Sequence, residues 1–329
     1  MKTFSKRSFG GVKLVSDRKS AEKDTHDLEV LLTKQRKAVF MKARVLVLWI
    51  FTCPIMLLAQ GLDTAKIDDA MGRSGQKTGD VYRLGFPRTD LHVSVAGVEI
   101  KPGLALGSWA AFAGSDSDAV VMGDLVLLEN EVTPVMKKLR AAGIDITALH
   151  NHVLNETPRV LYMHYMGHGK SVDLAKSLHA ALAESKTPLD KPAPPAPAGE
   201  PPAFVKTIED TLGAKGRFAG GVLSFGIPRA AAITDHGMTL SGAQGVAQAI
   251  NFQEAGSGKV ATTGDFVLTA EEVNPVISAL EEHDIQVTAL HSHMLTEQPR
   301  LFFMHFWTVG STESVAAGIK AALSHVALK

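Results

Sequence analysis

Along residues 60–329 the spacing of apolar residues changes in a fixed order, and it does so twice. "VYRLGFPR", from Val81, alternates apolar and polar side chains and reads as a strand, as does "LHVSVAGVEI" from Leu91. "AVVMGDLVLL", from Ala119, is a continuous apolar run suited to a strand buried on both faces. Thr133-Pro134 then places a capping residue before a proline, predicting a helix start, with Val135, Leu139 and Ala142 on one face. Gly143 stops that helix, and "IDITALHNHVL" returns to a β-branched strand. "NETPR" turns the chain, "VLYMHYM" runs back, and "SVDLAKSLHAALAES" closes with an amphipathic helix. In the second round Asn274-Pro275 repeats the helix start, while Thr269 and Glu272 fit a capping box one turn earlier. Strand–helix–strand–strand–helix predicts an α+β fold, an antiparallel sheet with helices on one face and a ferredoxin-like topology.

The two rounds align without a gap at an offset of 141 residues, Gly85-Phe86-Pro87-Arg88 answering Gly226-Ile227-Pro228-Arg229. From Gly123 to His164, 21 of 42 positions are identical to those from Gly264 to His305, so both halves should share one fold. Between them residues 186–203 hold seven of the fifteen prolines, a composition that favours an extended spacer. The expected domains are a first repeat over 60–187, a Pro-rich linker over 188–203 and a second repeat over 204–329.

Charge and cysteine usage add a compartment. Residues 1–44 hold twelve Lys/Arg against five Asp/Glu, leaving 34 − 12 = 22 basic and 34 − 5 = 29 acidic groups in the remainder. A mildly acidic body has no footprint for nucleic acid. The uncharged run Val45 to Ala59 is fifteen residues long, short for a spanning helix and right for a secretory signal behind Met41-Lys42-Ala43-Arg44. The reading is an upstream extension over 1–40, a signal peptide over 41–59 and a periplasmic or secreted chain without membrane embedding; the alternative is an anchor through 45–59. The single cysteine, Cys53, lies inside the signal, so neither disulfides nor thiolate metal sites are expected.

The candidate chemistry sits where the halves agree best. "TALHNHVLNETPRVLYMHY" from Thr147 and "TALHSHMLTEQPRLFFMHF" from Thr288 share His-x-His, Glu, Pro-Arg and Met-His at identical spacing. Alternation puts His150 and His152 on one strand face, and a hairpin near Pro158 returns His164 to a position near 148–150, with parity left to any bulge. His150, His152, His164 and Glu156, and their counterparts His291, His293, His305 and Glu297, make one candidate site per domain for Zn²⁺, Cu²⁺, Fe²⁺ or Mn²⁺. The plainer reading of the same residues is a structural or ligand-binding polar network. Arg159, Arg300 and Asn151 are candidate ligand-binding residues, although each arginine equally suits an ion pair with its own Glu156 or Glu297. Asp124 and Asp265 read as turn caps, with further ligands or bases as the alternative, and Met163 and Met304 as core.

These motifs, with "GDFVLTAEEVNPVISALEEHDIQVTALHSHMLTEQPRLFFMHFW" and its first-half partner, resemble the LppY/LpqO family of bacterial exported proteins, a domain family of unknown function. The resemblance spans roughly residues 62–327, with Ser292 departing from the family's His-Asn-His, and implies export and a two-domain design without naming an activity. The functional expectation is an exported protein binding a divalent transition metal and acting on a small-molecule or cell-envelope ligand. The alternative is a non-enzymatic envelope module that holds carbohydrate or peptide.

Overall fold

The computed structural model describes residues 61–191 and 200–329. The upstream extension, the signal segment and residues 192–199 of the linker lie outside the described residues. Both repeats belong to one compact unit, Leu58–Lys329.

The first half reads α1 (Thr64–Met71), β1 (Gln76–Thr78), β2 (Val81–Pro87), β3 (Val93–Val95), β4 (Val98–Ile100), α2 (Pro102–Ala105), β5 (Gly107–Gly114), β6 (Ala119–Leu128), α3 (Glu129–Ala141), β7 (Asp145–His150), β8 (Val160–Gly169) and α4 (Ser171–Leu182). The second half repeats it as α5 (Ala203–Leu212), β9 (Arg217–Ala219), β10 (Val222–Pro228), β11 (Ile233–Asp235), β12 (Met238–Leu240), a 3₁₀ turn at Gly242–Gln244, β13 (Ala247–Gly256), β14 (Lys259–Leu268), α6 (Ala270–Glu281), β15 (Gln286–His291), β16 (Phe302–Ser311) and α7 (Thr312–Leu323). Each half builds a six-stranded antiparallel sheet, in the orders β1-β2-β5-β6-β8-β7 and β9-β10-β13-β14-β16-β15. The expected α+β class and antiparallel sheets are present. A ferredoxin-like chain would add a strand after its second helix; here β5, from upstream of the unit, flanks β6 instead.

One face of each sheet is covered by helices. Ile67 and Met71 of α1, Val135 and Leu139 of α3, and Leu174, Leu178 and Leu182 of α4 pack on Leu84, Phe112, Val121, Leu125 and Met163. The second half assembles the equivalent core, with Met304 in the place of Met163. Helix α3 starts at Glu129, not after Thr133, because the Glu131 carboxylate accepts from Leu128 N (2.9 Å) and so satisfies an end amide. Helix α6 likewise starts before Asn274-Pro275, with the Thr269/Glu272 capping box formed. The same glutamates receive the buried arginines of the Pro-Arg pair: Arg88 reaches Glu131 at 2.7 Å and Val126 O at 2.7 Å, and Arg229 reaches Glu272 at 2.7 Å and Val267 O at 2.6 Å. The end of one strand, the strand two places along the sheet and the helix start are thereby tied at one point in each half.

The other faces of the two sheets meet. The β3–β4 hairpin (Val93, Val95, Ile100) shares a core with Val222, Ala261 and Trp307 of the second half. Reciprocally, the β11–β12 hairpin (Ile233, Leu240) shares one with Val120, Met122 and Met166 of the first. The offset between halves is not uniform. Trp109 faces Asp124 across its strand pair, and the residue facing Asp265 is Ala249, so the β5 and β13 segments match at 140 rather than 141.

Candidate metal centre

The histidines lie where the two sheets face each other. Asp124 on β6 pairs directly with His164 on β8, which pairs in turn with Ala148 on β7. Asp265, His305 and Ala289 repeat the row. A bulge between Ile146 and Ala148, and its twin between Val287 and Ala289, shifts the register, and alternation from Ala148 then carries His150 to the same face as His164. Gly123 and Gly264 make the row possible. A Cβ at either would lie 2.1 Å from Trp109 O or 2.0 Å from Ala249 O, so no side chain fits beside the aspartate.

The rings pair across the halves. His150 stacks on His291 with centroids 3.5 Å apart, His152 meets His305 at 3.8 Å, and His164 meets His293 at 3.8 Å. Each pair takes one ring from each repeat, so the expected site per domain is replaced by one composite cluster between domains. Three groups of potential ligand atoms lie within 4.8 Å of one another: His150, His164, His291 and His293; Asp265, His291, His293 and His305; and His150, His152 and His305.

Tautomers follow from backbone contacts. Nδ1 of His150 bonds Asn151 O (3.1 Å), Nδ1 of His291 bonds Ser292 O (3.2 Å), and Nδ1 of His305 bonds Gly264 O (2.6 Å). A carbonyl only accepts, so in these rings Nδ1 carries the proton and Nε2 keeps a lone pair. Metal-binding histidines are held in the same way. Nε2 of His150, His164, His291 and His305, with Oδ1 of Asp124 and of Asp265, is buried with no hydrogen-bond partner among the described residues, whereas Nε2 of His293 lies 3.0 Å from Asp265 Oδ2.

The electrostatics keep the rings neutral. Burial and the neighbouring His293 lower His150 to about 3, burial lowers His293 to about 3, and burial lowers His305 to about 4. His152, His164 and His291 are also pushed down, by burial first and then by the other rings. Burial, followed by repulsion from Asp265, raises Asp124 to about 8, and burial raises Asp265 to about 6. Two carboxyls and six neutral imidazoles face one buried space, an arrangement that favours a positively charged occupant.

The remaining predicted site residues lie elsewhere. Glu156 and Glu297 fall outside the three groups: Glu156 accepts from Val160 N (3.4 Å), and Glu297 from Leu301 N (3.0 Å) and Arg300 (3.2 Å). They close the hairpin turns. Arg159 sits exposed, 3.8 Å from Glu129 instead of Glu156. The Asn151 amide donates to Val153 O (3.2 Å) and to Thr288 O across the interface (3.0 Å), so it ties the halves together. Asp124 and Asp265 cap no turn, lying in mid-strand in the cluster. Their signal in the sequence was a charge inside an otherwise apolar run.

Beside the cluster lies a cavity of about 640 Å³, lined by Asp124, His152, His164, Asp265, His293 and His305 and walled by Arg83, Trp109 and Thr263. Fold and site together define a duplicated α+β protein with a histidine–aspartate centre shared between its repeats. The chain belongs to the family described as Domain of Unknown Function (DUF1259), whose model matches residues 65–184 and again residues 206–325. No curated protein matches. Among solved structures, a trimeric bacterial microcompartment shell protein, PduB, is 10% identical over 77% of this chain and 89% of its own, with a TM-score of 0.18. EtuB from Clostridium kluyveri is 10% identical over 76% and 90%, also with a TM-score of 0.18. Likeness at that level carries no argument about this chain.

Proposed function

We propose that this is an exported protein of the LppY/LpqO kind whose two repeats jointly bind a divalent transition metal and present it to a small-molecule or cell-envelope ligand. The observation that carries the reading is the set of four buried Nε2 atoms without partners, on His150, His164, His291 and His305, three of them on rings whose Nδ1 is already engaged by a carbonyl. Leaving so many buried acceptors unpaired is costly, and one ion would engage several at once. Imidazole with carboxylate suits Zn²⁺, Cu²⁺, Fe²⁺ or Mn²⁺. Export rests on the basic segment and the fifteen-residue apolar run ahead of residue 60. Among the described residues no helix is long and apolar enough to cross a membrane.

Metal analysis of untagged protein after loading and desalting tests the metal reading. Near-stoichiometric metal is expected, and His150→Ala/His152→Ala should remove most of it from the whole chain, since His150 and His152 complete groups that contain second-half rings. Wild-type protein that retains no metal would return the histidines to a polar network and favour the envelope-binding module. Loss of only half the metal in the double variant would restore one independent site per repeat.

A further inference from the structure

The cavity beside the histidines is not symmetric, although the histidines are. Arg83 on β2 reaches into it partly buried, its guanidinium 4.1 Å over the Trp109 ring and its Nη1 donating to Ala243 O (2.9 Å). Among the described residues it has no ion-pair partner and makes no other hydrogen bond to protein. The counterparts in the second half are Ser224 for Arg83 and Ala249 for Trp109, so the arginine stacked on an aromatic ring is a first-half feature; the cavity's other arginine, Arg217, is exposed and lies across the strand pair from Ser224. A second unpaired polar group lines the same space: the Thr263 hydroxyl, on a residue 2% exposed, has no hydrogen-bond partner among the described residues. Its first-half counterpart is Met122.

We infer that the cavity is the binding site of a small monocarboxylate, its carboxylate held by the Arg83 fork beside Trp109 and its remainder lying along the wall that carries Thr263. A guanidinium presents parallel N–H donors to a carboxylate, and stacking on Trp109 fixes the fork's plane. Volume sets the size: about 640 Å³ falls in the range of small-ligand pockets. Charge selects carboxylate over phosphate, because Asp265, ionised above about pH 6, lines the same cavity and repels a dianion more than a monoanion. The inference stands apart from the metal reading, since no histidine is among the groups assigned to the anion.

Calorimetric titration of the full chain, stripped of metal by chelator and dialysis, tests it with benzoate and inorganic phosphate as probes. Benzoate should bind more tightly than phosphate, and Arg83→Ser, which installs the second-half residue, should weaken benzoate tenfold or more. Arg83→Lys keeps the charge and the long stem but loses the fork; it should weaken benzoate severalfold and serves if the serine variant does not fold. Equal benzoate affinity in wild type and the folded variants, tighter binding of phosphate, or no benzoate binding at all would overturn the inference. Metal content of the same protein after reloading and desalting separates the two ideas: protein that binds benzoate when stripped but takes up no metal on reloading removes the metal reading and leaves this one.

Discussion

The two halves of this protein agree in what holds the backbone and differ in what lines the cavity. Arg88 and Arg229 make matching buried contacts to Glu131 and Glu272, and the cross-half ring pairs His152–His305 and His164–His293 have the same 3.8 Å separation. Arg83 against Ser224, Trp109 against Ala249, and Tyr162 against Phe303 break the match. A duplicated chain keeps both copies of a residue when both copies of the fold need it. Where two copies surround one shared space, a single copy of a side chain serves, and the other position is free to change.

The largest effect tests the agreement. Arg88→Ala leaves buried Glu131 and partly exposed Asp90 without their cation, Arg229→Ala leaves the partly buried Glu272 without its own, and each should destabilise by about 3–5 kcal/mol in chemical unfolding. Similar losses in both halves are expected; a loss confined to one would show that the symmetry is only geometric.

Acid should destabilise the metal-free protein next. The ring pKa values are depressed in the fold, so the unfolded chain takes up protons below about 6.5 while the folded one does not. Stability is therefore full above that pH and falls as pH drops toward 4, by at most about 1.4 kcal/mol per pH unit for each ring. Asp124 runs the opposite way: with its pKa raised to about 8, it favours folding at low pH and loses that contribution as pH rises through 8. Six rings against two carboxyls make the acid loss dominate between pH 6.5 and 4. Urea midpoints across pH 4–9 measure it, and a flat acid limb would mean the rings are not buried neutral.

The smallest effects probe the differences. The Tyr162 hydroxyl is buried without a hydrogen-bond partner among the described residues, while Phe303 occupies the matching place. In the metal-free protein Tyr162→Phe should stabilise by about 1–2 kcal/mol, relieving an unpaired polar group. Ser292→Asn would rebuild the amide that Asn151 uses to reach Thr288 O and should add about 1 kcal/mol. Melting curves for both would show whether each asymmetry is a cost or a constraint.

The element order was legible because α3, α4, β6 and β8 are long and strongly periodic. The N-terminal helices α1 and α5 went unread: α1, with "TAKIDDAM", is short, and α5 follows directly on the proline run. Of the site, the sequence showed the histidines and the common face of His150 and His164; His152 and His293 lie past the ends of β7 and β15, not on them. Periodicity describes one strand at a time, so it could not place His152 against His305 across two sheets. It pointed to Glu156 and Glu297 because hairpin spacing brings them close in sequence, yet the backbone amides of Val160 and Leu301 claim them first. Arg83 carried no signal, being an ordinary polar position on an alternating strand.

The ring pairing across halves has a consequence for assembly. A chain carrying one repeat could form such a cluster only as a homodimer, with identical residues facing each other about the axis. Its metal affinity would then depend on protein concentration. Joining the repeats makes the encounter intramolecular, so the cluster forms at any dilution. Fusion also lifts the rule of identity: a homodimer cannot place arginine on one side and serine on the other, and this chain does.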